Sequence, residues 1–512
     1  MSFNLATILR ESVAAHPDKP MLHLGPLTLS YAEVDTMSGR VATSLRQLGL
    51  GPGDCVALQL PNVPEFVFAY FGALKAGVTV VPLNPLLKAP EVAYHLSDSG
   101  SRVLVVLDAF AEEAAPGAAD AGDVRLYVVP TPGAPAGGER AGVPGAAPFD
   151  DLYRAEDTGE VEQLSPDATA TIIYTSGTTG RPKGAELTHF QMFMAATVAG
   201  DTFDYRDDDV SVAVLPLFHV FGLSSVMNTA IRCGAQLVLV PRFEVGAVLD
   251  AIERHHATVF CGVPTMFVAL QHADLTGRDV SSLRVCVSGG ASIPGEVLRG
   301  FEAAYHDVPV LEGYGLSETC ALATFNRSAE DRRVMSIGKR MWGVEVRVVG
   351  PQDEELPAGP EHVGEIVLRG HNVMKGYLGR PEATAEAMRG GWFHTGDLGH
   401  RDEDGFFYIV DRKKDLVIRG GFNVYPREIE EVLHAHPAVV EAAVVGRPDA
   451  RLGEEVVAYV ALKRGTSADP QEIVDFARER LAAYKYPREV VVVDDLPKGP
   501  SGKVLKTELR RQ

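Results

Sequence analysis

Short runs of β-branched and aliphatic residues alternate with helical stretches along most of this chain, and that rhythm constrains its fold more than any other feature. Tyr31 to Leu48 carries apolar residues at helical spacing, and Cys55 to Leu60 reads as a buried strand after the turn Gly51-Pro52-Gly53-Asp54. Phe66 to Ala76 is a second helix and Val78 to Leu83 a second buried strand. Strands with no polar alternation are covered on both faces, so the pattern predicts a parallel sheet packed under helices. It resumes at Ala170 to Tyr174, Ser211 to Leu215, Gln236 to Val240, Thr258 to Gly262 and Arg284 to Ser288. Between the two series, residues 111 to 148 are rich in Ala, Gly and Pro; only Val124 to Val129 reads as a strand there, and the rest as surface loop.

After about residue 336 the pattern becomes short strands with Gly turns, such as Val344 to Val349, Gly364 to Leu368 and Phe406 to Val410, which predicts a mostly antiparallel subdomain over about 336–411. A third unit begins at the charge cluster Asp411-Arg412-Lys413-Lys414-Asp415 and has the size of a small α+β domain. The expected fold class is α/β. A large N-terminal domain, 1–413, would hold parallel-rich, helix-covered sheets plus the antiparallel β subdomain, and 414–512 would form a small, mobile α+β C-terminal domain. Three units suit 512 residues at roughly 150 per domain.

Charge excludes some partners. With 48 basic against 68 acidic residues the formal net charge is −20, a surface that repels nucleic acid and anionic lipid at long range. An anionic small molecule would need a local patch of positive potential. The cysteines Cys55, Cys233, Cys261, Cys286 and Cys320 contain no C-x-x-C pair and sit in apolar or Gly-rich surroundings, so they read as reduced core thiols of a cytoplasmic protein. No secretory signal follows Met1. The uncharged run between Asp209 and Arg232 is long enough to span a bilayer, but Pro216, His219, Gly222, Ser224, Ser225 and Asn228 interrupt it, and a buried strand and loop is the better reading than an integral membrane segment.

The strongest local signal is Tyr174-Thr175-Ser176-Gly177-Thr178-Thr179-Gly180-Arg181-Pro182-Lys183-Gly184, directly after the buried strand Thr171-Ile172-Ile173. A dense string of Gly, Ser and Thr leaves backbone N–H groups free to converge, and the hydroxyls and Lys183 add donors, which together make a polyphosphate cradle. Its spacing is not that of a Walker A loop.

This string resembles the phosphate-binding signature of the adenylate-forming superfamily, which holds acyl-CoA synthetases, peptide-synthetase adenylation domains and beetle luciferase. Further matches follow in the family's order: Gly313-Tyr314-Gly315-Leu316-Ser317-Glu318-Thr319; Gly391-Trp392-Phe393-His394-Thr395-Gly396-Asp397; Asp411 to Asp415 leading into Gly420-Gly421-Phe422-Asn423-Val424-Tyr425-Pro426; and Pro497-Lys498-Gly499-Pro500-Ser501-Gly502-Lys503. The resemblance implies that Thr175, Ser176, Gly177, Thr178, Thr179, Gly180, Lys183, Gly290 and Thr319 bind ATP and that Tyr314 stacks on adenine. Glu318 and Thr175 would hold Mg²⁺ on the phosphates, and Asp397 and Arg412 the ribose. Lys503 would neutralise charge at the α-phosphate, His219 would sit beside the substrate carboxylate, Lys414 would be the hinge, and Gly420 and Gly421 would line the path of coenzyme A. Taken singly, several of these have plainer readings: Asp397 as a turn residue, Arg412 as a surface charge, His219 as a hydrogen-bonded core histidine, Gly420-Gly421 as a left-handed turn. Relatives that act on hydroxycinnamates often place a lysine six residues after the ribose arginine; here Ile418 stands there, with Arg419 beside it as a candidate substitute.

The activity implied is an ATP-dependent fatty acid:CoA ligase working through acyl-AMP, with an aryl or cinnamyl acid:CoA ligase and a ligase that loads a carrier protein as alternatives. Amino-acid-activating relatives carry an aspartate in the stretch that here reads Phe218-His219, and no carboxylate lies between Val210 and Ile231, so the acid is expected to be apolar. Phe218 to Asn228, Val259 to Phe267 and Ser288 to Ser292 resemble its pocket walls. A homodimer is compatible with this reading.

Overall fold

The computed structural model describes residues 2–132, 143, 145–175, 181–449, 451–499 and 502–511. Ser176, Gly177, Thr178, Thr179 and Gly180 lie outside the described residues.

Among the described residues the strands form four sheets. In the first, Pro20–Leu24, Gln236–Leu239, Val210–Ala213, Val259–Gly262, Val285–Ser288 and Val310–Tyr314 run parallel, with antiparallel strands added at both edges. In the second, Thr169–Thr175, Thr79–Pro82, Cys55–Gln59, Ser101–Leu107, Arg125–Val129 and Ala146–Pro148 are parallel, and Lys183–Thr188 folds back antiparallel on Thr169–Thr175. Central strands such as Cys55–Gln59 and Val285–Ser288 are buried at every position, which is why their sequences carry no polar alternation. The third sheet, Val344–Val349, Gly364–Gly370, Phe393–Arg401 and Phe407–Arg412, is antiparallel throughout. The fourth belongs to the C-terminal unit. There Val439–Asp449 and Gly453–Leu462 form a long hairpin, and Glu489–Val493 pairs parallel with the second of them. The helices Pro426–His434 and Pro470–Arg478 bury Ile429, Leu433, Ile473 and Ala477 against this sheet in a core of their own.

Two expectations are corrected. Residues 111 to 148 outside the expected strand are not all loop: Ala111–Ala121 is a helix that buries Ala111, Ala114, Gly117 and Ala118, and Ala146–Pro148 is an edge strand paired with Arg125–Val129. The uncharged run after Asp209 is a strand, Val210–Ala213, followed by a π-helical segment, Phe221–Asn228, and a helical turn, Thr229–Arg232, rather than strand and loop alone. Among the described residues no helix is long and apolar enough to cross a membrane. The five cysteines are unpaired and four of them are buried.

Candidate active site

A cavity of about 870 Å³ opens where the carboxyl ends of Thr169–Thr175, Val285–Ser288 and Val310–Tyr314 come together. Crevices at strand carboxyl ends are the usual ligand sites of α/β sheets. Thr175, Lys183, His219, Gly290, Tyr314, Glu318, Arg412, Lys414 and Lys503 all line it. Residues separated by more than three hundred positions therefore meet at one place.

Glu318 sits on the short turn Ser317–Thr319. Thr319 faces away from the cavity: its hydroxyl accepts from the Leu316 N–H at 2.9 Å and closes the turn that presents Glu318. The Glu318 carboxylate is buried and takes a hydrogen bond from the Tyr377 hydroxyl at 2.9 Å. Asp397 and Arg412 are cross-strand partners in the antiparallel sheet, and the Arg412 Nε lies 2.9 Å from Asp397 Oδ1. The other oxygen, Oδ2, accepts from the Tyr314 hydroxyl at 2.6 Å. Asp397 thus stands behind Tyr314 and Arg412, 2% exposed, and fixes both of them. Burial, reinforced by the charge of Asp397, pushes the Tyr314 phenol well above its ordinary range, so it remains a donor.

Lys503 enters from the C-terminal unit. It runs beside Gly290, whose φ of +82° is one that side chains resist, and a Cβ there would be in ordinary contact with the Lys503 Cε at 3.5 Å. The Thr265 hydroxyl donates to the carbonyl of Gly502 at 3.4 Å. Burial and the nearby Arg412 push the Lys503 ammonium down to about 8, against the pull of Asp397 and Glu318. It stays charged at neutral pH while being poorly solvated, the state in which it stabilises an incoming anion most. His219 accepts from the Phe221 N–H at its Nδ1 at 3.3 Å, which places the ring proton on Nε2. Burial and the Lys503 charge push its pKa to about 4, so the ring is a neutral donor.

Beyond His219 the lining turns apolar: Phe203, Phe218, Phe221, Val287, Leu316, Leu322 and Phe325, with Ser225 and Ser288 between them. A side chain on Gly289 would meet the Phe221 ring at 3.0 Å, so this wall is bare backbone where the ring lies. Of the stretches expected as walls, Phe218 to Asn228 and Ser288 to Ser292 contribute lining residues, whereas Val259 to Phe267 contributes none, although Val263 would come within 3.4 Å of a Cβ on Gly290.

Gly420 and Gly421 are not brought to the cavity. They form the turn between Val417–Arg419 and Phe422–Val424, at φ of +58° and +84°, a conformation that side chains resist. Arg419 does not line the cavity either, and its Nε and Nη2 donate to Glu455 at 2.5 and 2.9 Å. Among the lining residues not singled out from the sequence, two make polar contacts with the site. One is Tyr377. The other is Glu365, which accepts from the Gly396 N–H at 3.0 Å and so supports the bend before Asp397. A tyrosine and a glutamate between named motifs carry no local signal of their own.

Comparison with known proteins agrees with this geometry. Residues 9–378 match the AMP-binding enzyme family, and 428–503 match the AMP-binding enzyme C-terminal domain. A long-chain-fatty-acid–CoA ligase of Bacillus subtilis (strain 168) is 37% identical, over 99% of this chain and 94% of its own. A feruloyl-CoA synthase of an Amycolatopsis species is 38% identical, over 97% and 96%. Among solved structures, an anthranilate CoA ligase in complex with anthranoyl-AMP superposes with a TM-score of 0.92 at 30% identity, covering 100% of this chain and 97% of that one. The chain therefore belongs to the AMP-binding enzyme family, within the adenylate-forming superfamily that its motifs resemble.

Proposed function

We propose that this acyl-CoA ligase is an ATP-dependent fatty acid:CoA ligase of the cytoplasm, acting on medium- or long-chain acids. The observation that carries the reading is the entry of Lys503 into a cavity that already holds Lys183, Glu318, Arg412 and a neutral His219, next to an uncharged, phenylalanine-rich compartment. Such a site can bring a carboxylate and a triphosphate together. In the first step the carboxylate oxygen attacks the α-phosphorus, and the bond from that phosphorus to the bridging oxygen breaks, releasing pyrophosphate. Lys503 meets the charge that gathers on the α-phosphate oxygens, and the His219 Nε2–H steadies the acid. Lys183 and Thr175 hold the phosphates, Tyr314 offers a face to the adenine, and Arg412 holds the ribose, with Asp397 fixing Arg412 from outside the lining. In the second step the thiol sulfur of coenzyme A attacks the acyl carbon and AMP leaves.

Mg²⁺ suits this donor set. Glu318 is a hard oxygen ligand with one carboxylate oxygen not used by Tyr377, and among the described residues no group of three or more His, Cys, Asp or Glu could cage an ion alone. That is the usual arrangement for magnesium, which binds through one or two carboxylates plus substrate phosphates. When bound, the ion supplies charge neutralisation across the phosphates.

The second half-reaction needs the Gly420-Gly421 turn where Lys503 now is. A rotation of the C-terminal unit about Lys414, which already lines the cavity, supplies that exchange, with the domain boundary at 413/414. An aryl acid is the second reading, favoured by the Phe203 and Phe325 rings, 4.4 Å apart in the apolar lining, which present flat surfaces. Pyrophosphate release across a panel of alkyl and aryl acids tests the substrate, and free coenzyme A against a phosphopantetheinylated carrier protein tests the acceptor. Activity only with the carrier would replace the ligase reading by that of a carrier-loading enzyme.

A further inference from the structure

The geometry points to Tyr377 as the positioning residue that keeps Glu318 and Lys183 apart, so that both remain available to a magnesium-bound triphosphate. This rests on the proposed reading of Glu318 as the cation ligand. The two charges are opposite, and both line the same cavity. A lysine on a flexible four-carbon stem close to a buried carboxylate would ordinarily collapse onto it, and each would cancel the other. Yet among the described residues neither Lys183 nor Glu318 forms a salt bridge, and each meets Tyr377 instead.

Tyr377 occupies both of them. Its hydroxyl donates to Glu318 Oε1 at 2.9 Å, and its ring face lies 4.8 Å from the Lys183 ammonium, within cation–π range. Its backbone is fixed to the strand that carries Lys183, and its segment to the turn that carries Glu318. Gly376–Tyr377 pairs antiparallel with Lys183–Thr188, with Tyr377 opposite Ala185, and the Leu378 N–H donates to the Gly184 carbonyl at 2.8 Å. Three residues earlier, the Met374 N–H donates to the Glu318 carbonyl at 2.7 Å. The Tyr377 N–H is itself held by Thr384 Oγ1 at 2.9 Å. One residue thus sets where the ammonium and the carboxylate stand, with the second carboxylate oxygen left for a cation. Partners of metal ligands that orient them in this way typically affect metal affinity by about 10- to 100-fold when removed.

The experiment measures Mn²⁺ affinity by electron paramagnetic resonance in the presence of ATP and without any acid, and ATP affinity by calorimetry with the divalent cation chelated. Tyr377→Phe keeps the ring and removes the hydroxyl. It should weaken Mn²⁺ binding about 10-fold or more while leaving chelated ATP binding within about two-fold. Tyr377→Leu, which also removes the face under Lys183, should weaken both. Glu318→Gln is the control for the underlying site. If Glu318→Gln leaves Mn²⁺ affinity unchanged, the assignment of Glu318 fails and the inference fails with it. If Glu318→Gln weakens Mn²⁺ binding but Tyr377→Phe does not, Tyr377 is no positioning residue and the site assignment stands. Equal losses of ATP affinity with and without Mn²⁺ in a Tyr377→Phe protein of unchanged melting temperature would also overturn the inference, since the hydroxyl would then serve the fold of the site and not the carboxylate.

Discussion

Asp411 accepts a hydrogen bond from the backbone N–H of Arg427 at 3.2 Å, so the helix Pro426–His434 is capped by a side chain from the antiparallel sheet, on the other side of Lys414. The helix's own N-cap, Tyr425, contributes no side-chain bond. Arg427 answers with its guanidinium, which donates to the carbonyl of Ile409 on the same strand as Asp411. The two residues tie the C-terminal unit to the antiparallel sheet in the arrangement that puts Lys503 in the cavity.

Removing that cap should loosen this arrangement in particular. Loss of an N-cap costs about 0.5–2 kcal/mol. In Asp411→Ala, pyrophosphate release should fall several-fold, while thioester formation from supplied acyl-AMP and coenzyme A should be kept. Single-turnover measurement of the two half-reactions decides it, and equal loss in both would mean that the bond serves only helix stability.

Burial pushes the Asp411 carboxyl up to about 6 from 3.8. The folded chain therefore binds this proton more tightly than the unfolded chain does, and the stability it contributes is full below about pH 4 and is lost as pH rises to about 6. Asp411→Asn has no such proton. Its melting temperature relative to the parent should climb between pH 4 and pH 6, and a difference that is flat with pH would show that the carboxyl is not the titrating group.

Lys503 offers two tests of the adenylation step. Lys503→Ala should lower pyrophosphate formation by about 10²- to 10³-fold, the effect of losing one transition-state charge contact, with the thioester half-reaction surviving. Because burial and Arg412 hold the ammonium near 8, kcat/KM for adenylation should fall as pH rises past about 8. Lys503→Arg should lose that basic limb. A limb that persists in the arginine variant belongs to another group.

Lys414→Pro addresses the pivot. Proline fixes φ near −65° and restricts the residue before it, so rotation should be hindered while the arrangement seen here is still reached. Adenylation should be kept and thioesterification impaired, read as a build-up of acyl-AMP. Loss of both steps in a folded protein would count against a pivot at this position.

Much of this architecture was legible because its physical causes are local. Cys55 to Leu60 and Arg284 to Ser288 announce buried strands through aliphatic residues with no polar alternation, whereas the string of hydroxyls and glycine from Ser176 to Gly180, equally conspicuous, lies outside the described residues. The helix Ala111–Ala121 was not legible. It carries Pro116 internally and packs through small residues: a side chain on Gly117 would meet the Ala89 carbonyl and Val92 at 2.7 Å. Close helix contact of that kind leaves no hydrophobic period to read. Nor could Tyr377 be found, for its role comes from a two-residue strand that places it between Lys183 and Glu318, and that juxtaposition exists only in three dimensions. The Gly420-Gly421 turn shows the converse: its sequence resembles a coenzyme A path, while the arrangement of the units seen here places Lys503, and not the turn, in the cavity.

The apolar compartment makes a graded prediction about the acid. Phe203, Phe218, Phe221, Val287, Leu316 and Leu322 offer no charge and little polarity to a chain extending past His219. Each buried methylene gains about 0.8 kcal/mol, so kcat/KM should rise a few-fold per added carbon from acetate through at least octanoate, until the cavity ends. An α-amino acid would bring an ammonium into a compartment with no carboxylate to meet it, and should be inert. The Phe203 and Phe325 pair supplies the competing outcome, since flat rings favour a flat acid. Initial rates of pyrophosphate release along the alkyl series, set beside benzoate and cinnamate, separate the two. A flat alkyl profile with cinnamate far ahead of octanoate would replace the fatty acid by an aryl acid and leave Lys503, Glu318 and the adenylation chemistry where they are.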